Sequence, residues 1–160
     1  LEQGRTLPGF IGDIGYAQSN RERYEGFCQA LTDAGKKVDS SLCLTTPLGI
    51  DTYREEIDTF LSSLSRMPDA FVCASDYVAC ILMQLLEKRG LRVPEDVAVS
   101  GFDNNTEDLL AEHLTTVQVF NEELGARLAL QILYRIKYPN TPHEVTYLGT
   151  NVLYRDSTGD

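Results

Sequence analysis

Apolar and polar positions alternate in two periods along this chain, and the periods take turns. "LPGFIG" (Leu7 to Gly12) is a short apolar run that predicts a buried strand. "SNRERYEGFCQALTDAG" follows with Tyr24, Phe27, Cys28 and Leu31 on one helical face, Ser19 or Asn20 as the expected cap and Gly35 as the stop. "KVDSSLCL" predicts a second strand, and "GIDTYREEIDTFLSSLSR" a helix whose Tyr53, Ile57, Phe60, Leu61 and Leu64 recur at helical spacing. The alternation continues with strand "DAFVCAS", helix "DYVACILMQLLEKRG" ending at Gly90, and strand "DVAVSG" after Pro94. Parallel strands need crossovers, so this order predicts an α/β fold: an open, mostly parallel sheet with helices on both faces.

In such a sheet the ligand crevice lies beyond the carboxyl ends of the strands. Three polar stretches fall at those ends: Asp13 after "GFIG", Ser75 and Asp76 after "FVCA", and Asp103 after "VAVSG". Arg23 lies near the start of the first helix. An acceptor for paired hydroxyls, a forked donor and short polar groups form a set suited to a polyhydroxylated ligand. Each also has a plainer reading: Arg23 as a solvated helix residue, Asp76 as a charge on a helix N-terminus, Asp103 as a turn former.

Enzymatic signatures are missing. The chain has no G-x-G-x-x-G, no G-x-x-x-x-G-K-[ST] and no G-x-S-x-G, and His113 and His143 sit in loop-like stretches that suit solvated side chains. Cys28, Cys43, Cys73 and Cys80 form no C-x-x-C pair and read as free thiols in apolar segments of a protein from a reducing compartment. No cofactor or metal is expected. With 24 acids against 14 bases the net charge is -10, so these 160 residues should not hold DNA by themselves. Neither a signal peptide nor an uninterrupted apolar run of membrane-spanning length is present, which predicts a cytoplasmic protein.

The run "PDAFVCASDYVACILMQLLEKRGLRVPEDVAVSGFDN", then "LTTVQVFNEELG", then "YRDST", resembles the effector-binding core of LacI/GalR-family transcriptional regulators, with a periplasmic-binding-protein-like fold. The resemblance covers nearly the whole chain. It implies a small-molecule effector, a carbohydrate or its derivative, held by Arg23 of "RYEGF", by Asp103 of "GFDN" and by Ser75-Asp76, where Ser75 stands for the family's asparagine. The aromatic that stacks on a sugar in many members falls on Leu44, leaving Tyr16 and Phe102 as candidate replacements, and Phe120 stands where the family has proline. The resemblance further implies a homodimer, with operator DNA reached only through an N-terminal headpiece absent from this chain. By the same likeness residues 1-118 are the C-terminal subdomain of the core. Residues 119-142 are a crossover helix belonging to a missing N-terminal subdomain, and 143-160 a return strand and tail. A periplasmic sugar-binding transport component shares this fold and is the rival reading, and a small α/β enzyme is a third.

The segment from Glu122 to Tyr138 carries Leu124, Leu128, Ala129, Ile132, Leu133 and Ile136 over about half of a helix circumference, and Ala126 and Leu130 widen the face. Leaving five such large side chains in water costs on the order of 8 to 15 kcal/mol. The expectation is therefore that this helix docks on its own sheet or against a second copy.

Overall fold

The computed structural model describes residues 4–104 and 109–159. Strands β1 (Pro8–Ile11), β2 (Cys43–Leu44), β3 (Ala70–Cys73) and β4 (Ala98–Ser100) form one sheet in the order β2-β1-β3-β4, every pair parallel. Helix α1 (Gln18–Asp33) follows β1, α2 (Tyr53–Ser63) follows β2 and α3 (Asp76–Lys88) follows β3. The alternating pattern thus gives the architecture it predicts. Two details differ. The second strand is shorter than "KVDSSLCL", because Asp39 accepts from the Ser41 amide and turns Ser40–Leu42 into a 3-10 turn. Ser19 and Asn20 do not cap α1, which starts from Ala17; the Asn20 side chain instead donates from Nδ2 to the Asp13 carbonyl at 2.9 Å.

Period-two alternation decides which helix covers which face. Phe10 and Val72 belong to the cluster with Tyr24, Phe27 and Leu31 of α1. Their neighbours Ile11, Phe71, Cys73 and Val99 belong to the cluster with Ile57 and Leu61 of α2 and Val78, Leu82, Leu85 and Leu86 of α3. Helix α3 buries eight of its residues, Asp76 among them, because sheet and α2 cover it on two sides. All four cysteines are free thiols; Cys73 and Cys80 are buried, and burial pushes the Cys43 thiol up to about 11. No helix among the described residues is long and apolar enough to cross a membrane.

After β4 the chain makes the 3-10 turn Leu109–His113, strand β5 (Thr116–Gln118), helix α4 (Asn121–Lys137) and strand β6 (Asn151–Leu153). The last is all that forms of the return strand expected within residues 143-160. Strands β5 and β6 pair antiparallel, and single bridges from Ser100 to Thr115 and from Asp103 to Gln118 lay β5 along the β4 edge. Helix α4 forms where its pattern predicts, but it is not docked on its own sheet: it has no buried residue, and Leu128 and Ile132 are 60% and 52% exposed. That half of the expectation is corrected. The sheet face that could have received α4 is already filled by α1 on one side and by α2 with α3 on the other.

The carboxyl end of β1 approaches β3 closely. A Cβ on Gly12 would lie 2.2 Å from the Ala74 Cβ, so the Gly12→Ala variant must push the two strand ends apart. It is expected to lose about 1 to 3 kcal/mol, the usual cost of overpacking, read as a lower urea midpoint at unchanged slope.

Candidate functional site

Strand order reverses between β1 and β3, since β1 leads outward to β2 on one side and β3 leads to β4 on the other. Open α/β sheets bind ligands beyond such a switch point. Here the first turns of α1 and the ends of β3 and β4 converge around one guanidinium. Arg23 donates from Nη1 to the Ala74 carbonyl at 2.6 Å and to Asn20 Oδ1 at 3.3 Å, and from Nη2 to Asp103 Oδ1 at 3.4 Å. Its guanidinium carbon stands 3.7 Å from the centre of the Phe102 ring, within cation-π range. Arg23 and Asp103, 80 positions apart in sequence, thus share one edge.

The Asp103 carboxylate is held by an unusual backbone. Asp103 has φ 108 and Asn104 φ 53, conformations that glycine adopts freely and other residues seldom do. Hydrogen bonds among the described residues hold the turn: the Asp103 amide donates to the Val117 carbonyl at 3.0 Å, the Asn104 amide to Thr116 Oγ1 at 3.3 Å, and Arg155 Nη2 to Asn104 Oδ1 at 2.8 Å. Such outliers cluster at functional sites, where the surrounding structure over-determines them.

The other candidates divide by burial. Ser75 caps α3, accepting from the Val78 amide at 3.3 Å, and is partly open to the edge. Asp76 is only 2% exposed: its amide donates to the Phe102 carbonyl at 2.8 Å and its Oδ1 accepts from Thr116 Oγ1 at 2.5 Å. Its carboxylate therefore ties α3 to β5 and acts on the edge through its field. Asp13 also turns inward, accepting from the amides of Gly15, Tyr16 and Leu48. Phe102 has one face under the Arg23 guanidinium. Tyr16 stands on the turn before α1 with its side chain open to solvent. Leu44 packs toward the core rather than the edge. Sequence reading missed Asn20, the Ala74 carbonyl, Thr116 and Arg155; only the family-like "YRDST" ending drew attention near the last. Of the histidines, His143 is exposed, whereas exposed His113 meets Asp156 at 2.7 Å. A cleft of about 520 Å³ beside Met83, Glu87, Leu91 and Leu110 lies at the far end of α3 and shares no residue with this edge. The chemistry, not the volume, marks the candidate site.

Burial governs the electrostatics. It lowers the Arg23 pKa, against the attraction of Asp103 and Asp76, and raises the Asp103 carboxyl, against the attraction of Arg23. Both partners move away from their charged forms, so their desolvation outweighs the ion pair they make. The edge offers a fixed cation, a carboxylate with unused lone pairs and one short hydroxyl, a set that exchanges hydrogen bonds with a hydroxylated ligand. No group of three or more His, Cys, Asp or Glu among the described residues is arranged to hold a metal.

An open α/β sheet with polar groups converging at its switch point is the arrangement that ligand-binding modules use. The chain belongs to the periplasmic binding protein-like domain family, which it matches over residues 1–158, in the form carried by LacI-family transcriptional regulators. It is 35% identical over 128 residues to the HTH-type transcriptional regulator DegA of Bacillus subtilis (strain 168), covering 79% of this chain and 37% of that protein. To the HTH-type transcriptional regulator CelR of Thermobifida fusca it is 34% identical over 142 residues, 85% of this chain and 40% of CelR. A solved CelR-cellobiose complex superposes with TM-score 0.87 at 29% identity, over 98% of this chain and 48% of that one. A LacI-family regulator from Sanguibacter keddieii DSM 10542 superposes with TM-score 0.84 at 27% identity, over 99% of this chain and 60% of that one. The chain thus spans less than half the length of these two curated relatives.

The raised Asp103 pKa has a stability consequence whose sign is fixed. A carboxyl that titrates higher folded than unfolded favours the native state at low pH, and that contribution is lost as pH rises through the raised value. Asp103→Asn is expected to raise the thermal midpoint at about pH 7, with the gain fading toward about pH 3, below the ordinary carboxylate range. An equal gain at both pH values would contradict this account.

Proposed function

We propose that this chain is the effector-binding and dimerisation module of a LacI-type DNA-binding transcriptional regulator, and that its effector is a carbohydrate or a close derivative. The observation that carries the reading is the pairing of Arg23 with the upward-shifted, partly open carboxylate of Asp103 at the sheet's switch point. Arg23 donates to ligand oxygens, Asp103 accepts from adjacent hydroxyls, and Ser75 contributes its hydroxyl at the rim. Asp76 contributes charge from behind; Tyr16 and the free face of Phe102 supply apolar contact. The relatives are regulators rather than enzymes, and cellobiose is bound to one of them. No catalytic step is assigned to these residues.

The chain's division follows from the same reading. Residues 1-118 form one lobe of the cleft, residues 119-142 carry a helix that packs in a second lobe outside this sequence, and 143-160 return to the first. The apolar surface of α4 supports this, as does the chain's coverage of less than half of DegA and CelR. Operator DNA is contacted through a headpiece outside this chain, consistent with a net charge of -10 here. Ligand closing the two lobes biases one relative orientation, and a homodimer relays that bias to the headpieces. Exposed Ile50 and Tyr77, which line one cleft near the entries of α2 and α3, suit a dimer contact. The site of action is the cytoplasm, where such regulators meet DNA. The transport reading has only the shared fold in its favour.

The test is a thermal-shift screen of mono- and disaccharides, cellobiose and ribose included, on the full-length protein, followed by calorimetry. At least one carbohydrate is expected to stabilise the protein. Asp103→Ala should weaken its binding by about 1.5 to 3 kcal/mol, the scale of a hydrogen bond to a charged group. Unchanged affinity in that variant would remove the proposed role of Asp103, and a screen without any stabilising sugar would remove the carbohydrate class.

A further inference from the structure

The ligand-facing carboxylate stands on a backbone that its own residue type does not favour, so something outside the turn must hold it. Arg155 is placed to do this. It lies two residues beyond β6, and its guanidinium spans both described ends of the loop that follows β4. Nη2 donates to Asn104 Oδ1 at 2.8 Å, while Nη1 donates to the carbonyls of Ala111 and Leu114, each at 3.0 Å. The side chain is only partly exposed, which strengthens such charge-assisted bonds relative to open solvent.

Arg155 is itself fixed by an independent set of contacts. Its amide donates to Thr115 Oγ1 at 2.8 Å, Thr115 Oγ1 lies 3.0 Å from the Arg155 carbonyl, and the Thr115 and Thr158 hydroxyls are 2.7 Å apart. Buried Ser157 donates to the Val99 carbonyl at 2.7 Å and accepts from the Thr115 amide at 2.8 Å. The tail therefore has several attachments, which reach different places. Ser157 ties it to the body of β4, whereas the Arg155 guanidinium alone reaches the residue next to Asp103.

We infer that Arg155 is a positioning residue for the ligand site: through Asn104 it holds the left-handed turn that presents the Asp103 carboxylate to Arg23. This rests on the reading of Asp103 as a ligand group given above, but the mechanical claim is separable from it. Asn104 at φ 53 exchanges its backbone preference for a side-chain acceptor, and Arg155 fills that acceptor with one prong of its planar guanidinium. Without it, the Asp103 and Asn104 amides retain their bonds to β5 but lose the outer support of the turn.

Amide hydrogen exchange on the chain, followed by NMR, tests this without any ligand. Amides of Ile11 and Leu82 in the core report global stability and correct for it. After that correction, Arg155→Gln is expected to speed exchange at Asp103 and Asn104 on the order of tenfold, the ratio lost with one charge-assisted hydrogen bond. Arg155→Lys, which keeps the charge but not the fork, should fall between. Asn104→Asp keeps an acceptor and a turn-tolerant residue, and should exchange no faster than the wild type. Ser157→Ala removes a tail contact to β4 and none of Asn104's own, and its corrected rates at Asp103 and Asn104 should rise less than those of Arg155→Gln. If Ser157→Ala and Arg155→Gln speed these two amides equally, or if Arg155→Gln leaves them unchanged, the inference is overturned. Failure of the Asp103→Ala binding test with these exchange results intact would remove the ligand role of the site and leave the clamp standing.

Discussion

The four-residue parallel ladder between β1 and β3, with Pro8 opposite Ala70 and Ile11 opposite Cys73, decides where the groups of the candidate site can stand. Parallel pairing brings both strands to the same edge, and each then feeds a helix. The end of β1 leads to α1 and Arg23; the end of β3 supplies the Ala74 carbonyl that Arg23 grips and the Ser75 cap that starts α3. The ladder can close this far only because Gly12 and Ala74 are small where the strands end. A bulkier pair would separate the two elements that hold the guanidinium. Packing in the centre of the sheet thus sets distances at its rim.

The rim is held against its own electrostatics. A guanidinium and a carboxylate 3.4 Å apart would ordinarily lower the acid's pKa and raise the base's, and here both move the other way because burial dominates. Asp76, buried behind them, adds a second negative charge that supports Arg23 and opposes Asp103. Part of the fold's stability is thereby set against keeping two hydrogen-bonding charges in place, and the positive φ at Asp103 adds to that cost. The proposed role of Asp103, presenting lone pairs to a ligand hydroxyl, is one that such a backbone serves.

The fold was legible because its information is local and periodic: apolar residues at helical spacing in α1, α2 and α3, and short apolar runs between glycines and acids. The site was legible in part, because strand ends are where polar residues converge, and Arg23 and Asp103 could be read from their place and their family-like motifs. What escaped has a common physical cause. Asp76 and Ser75 are adjacent in sequence, yet one is buried against Thr116 and the other caps a helix at the edge; a residue forty positions away makes the difference. Arg155 meets Asn104 across 51 positions, and the Ala74 carbonyl carries no side-chain signal at all. Long-range hydrogen bonds and backbone acceptors leave no period to read.

Helix α4 shows the same limit from the other side. Its sequence was enough to predict the helix and its broad apolar surface, and the helix forms; the surface nevertheless faces water, with Leu130, Leu133 and Ile136 all largely exposed. Periodicity states that a face must be covered and is silent on what covers it. The choice is restricted by the rest of the structure, since both faces of the four-stranded sheet already carry their helices and the β5 and β6 pair leads α4 away from them. Apolar area of this size is comparable in free energy to the stability of a small domain, which makes a solvated α4 the least economical part of the molecule. Because β5 lies along Ser100 to Asp103 and leads directly into α4, the helix that needs cover and the backbone that carries the Asp103 carboxylate share one strand.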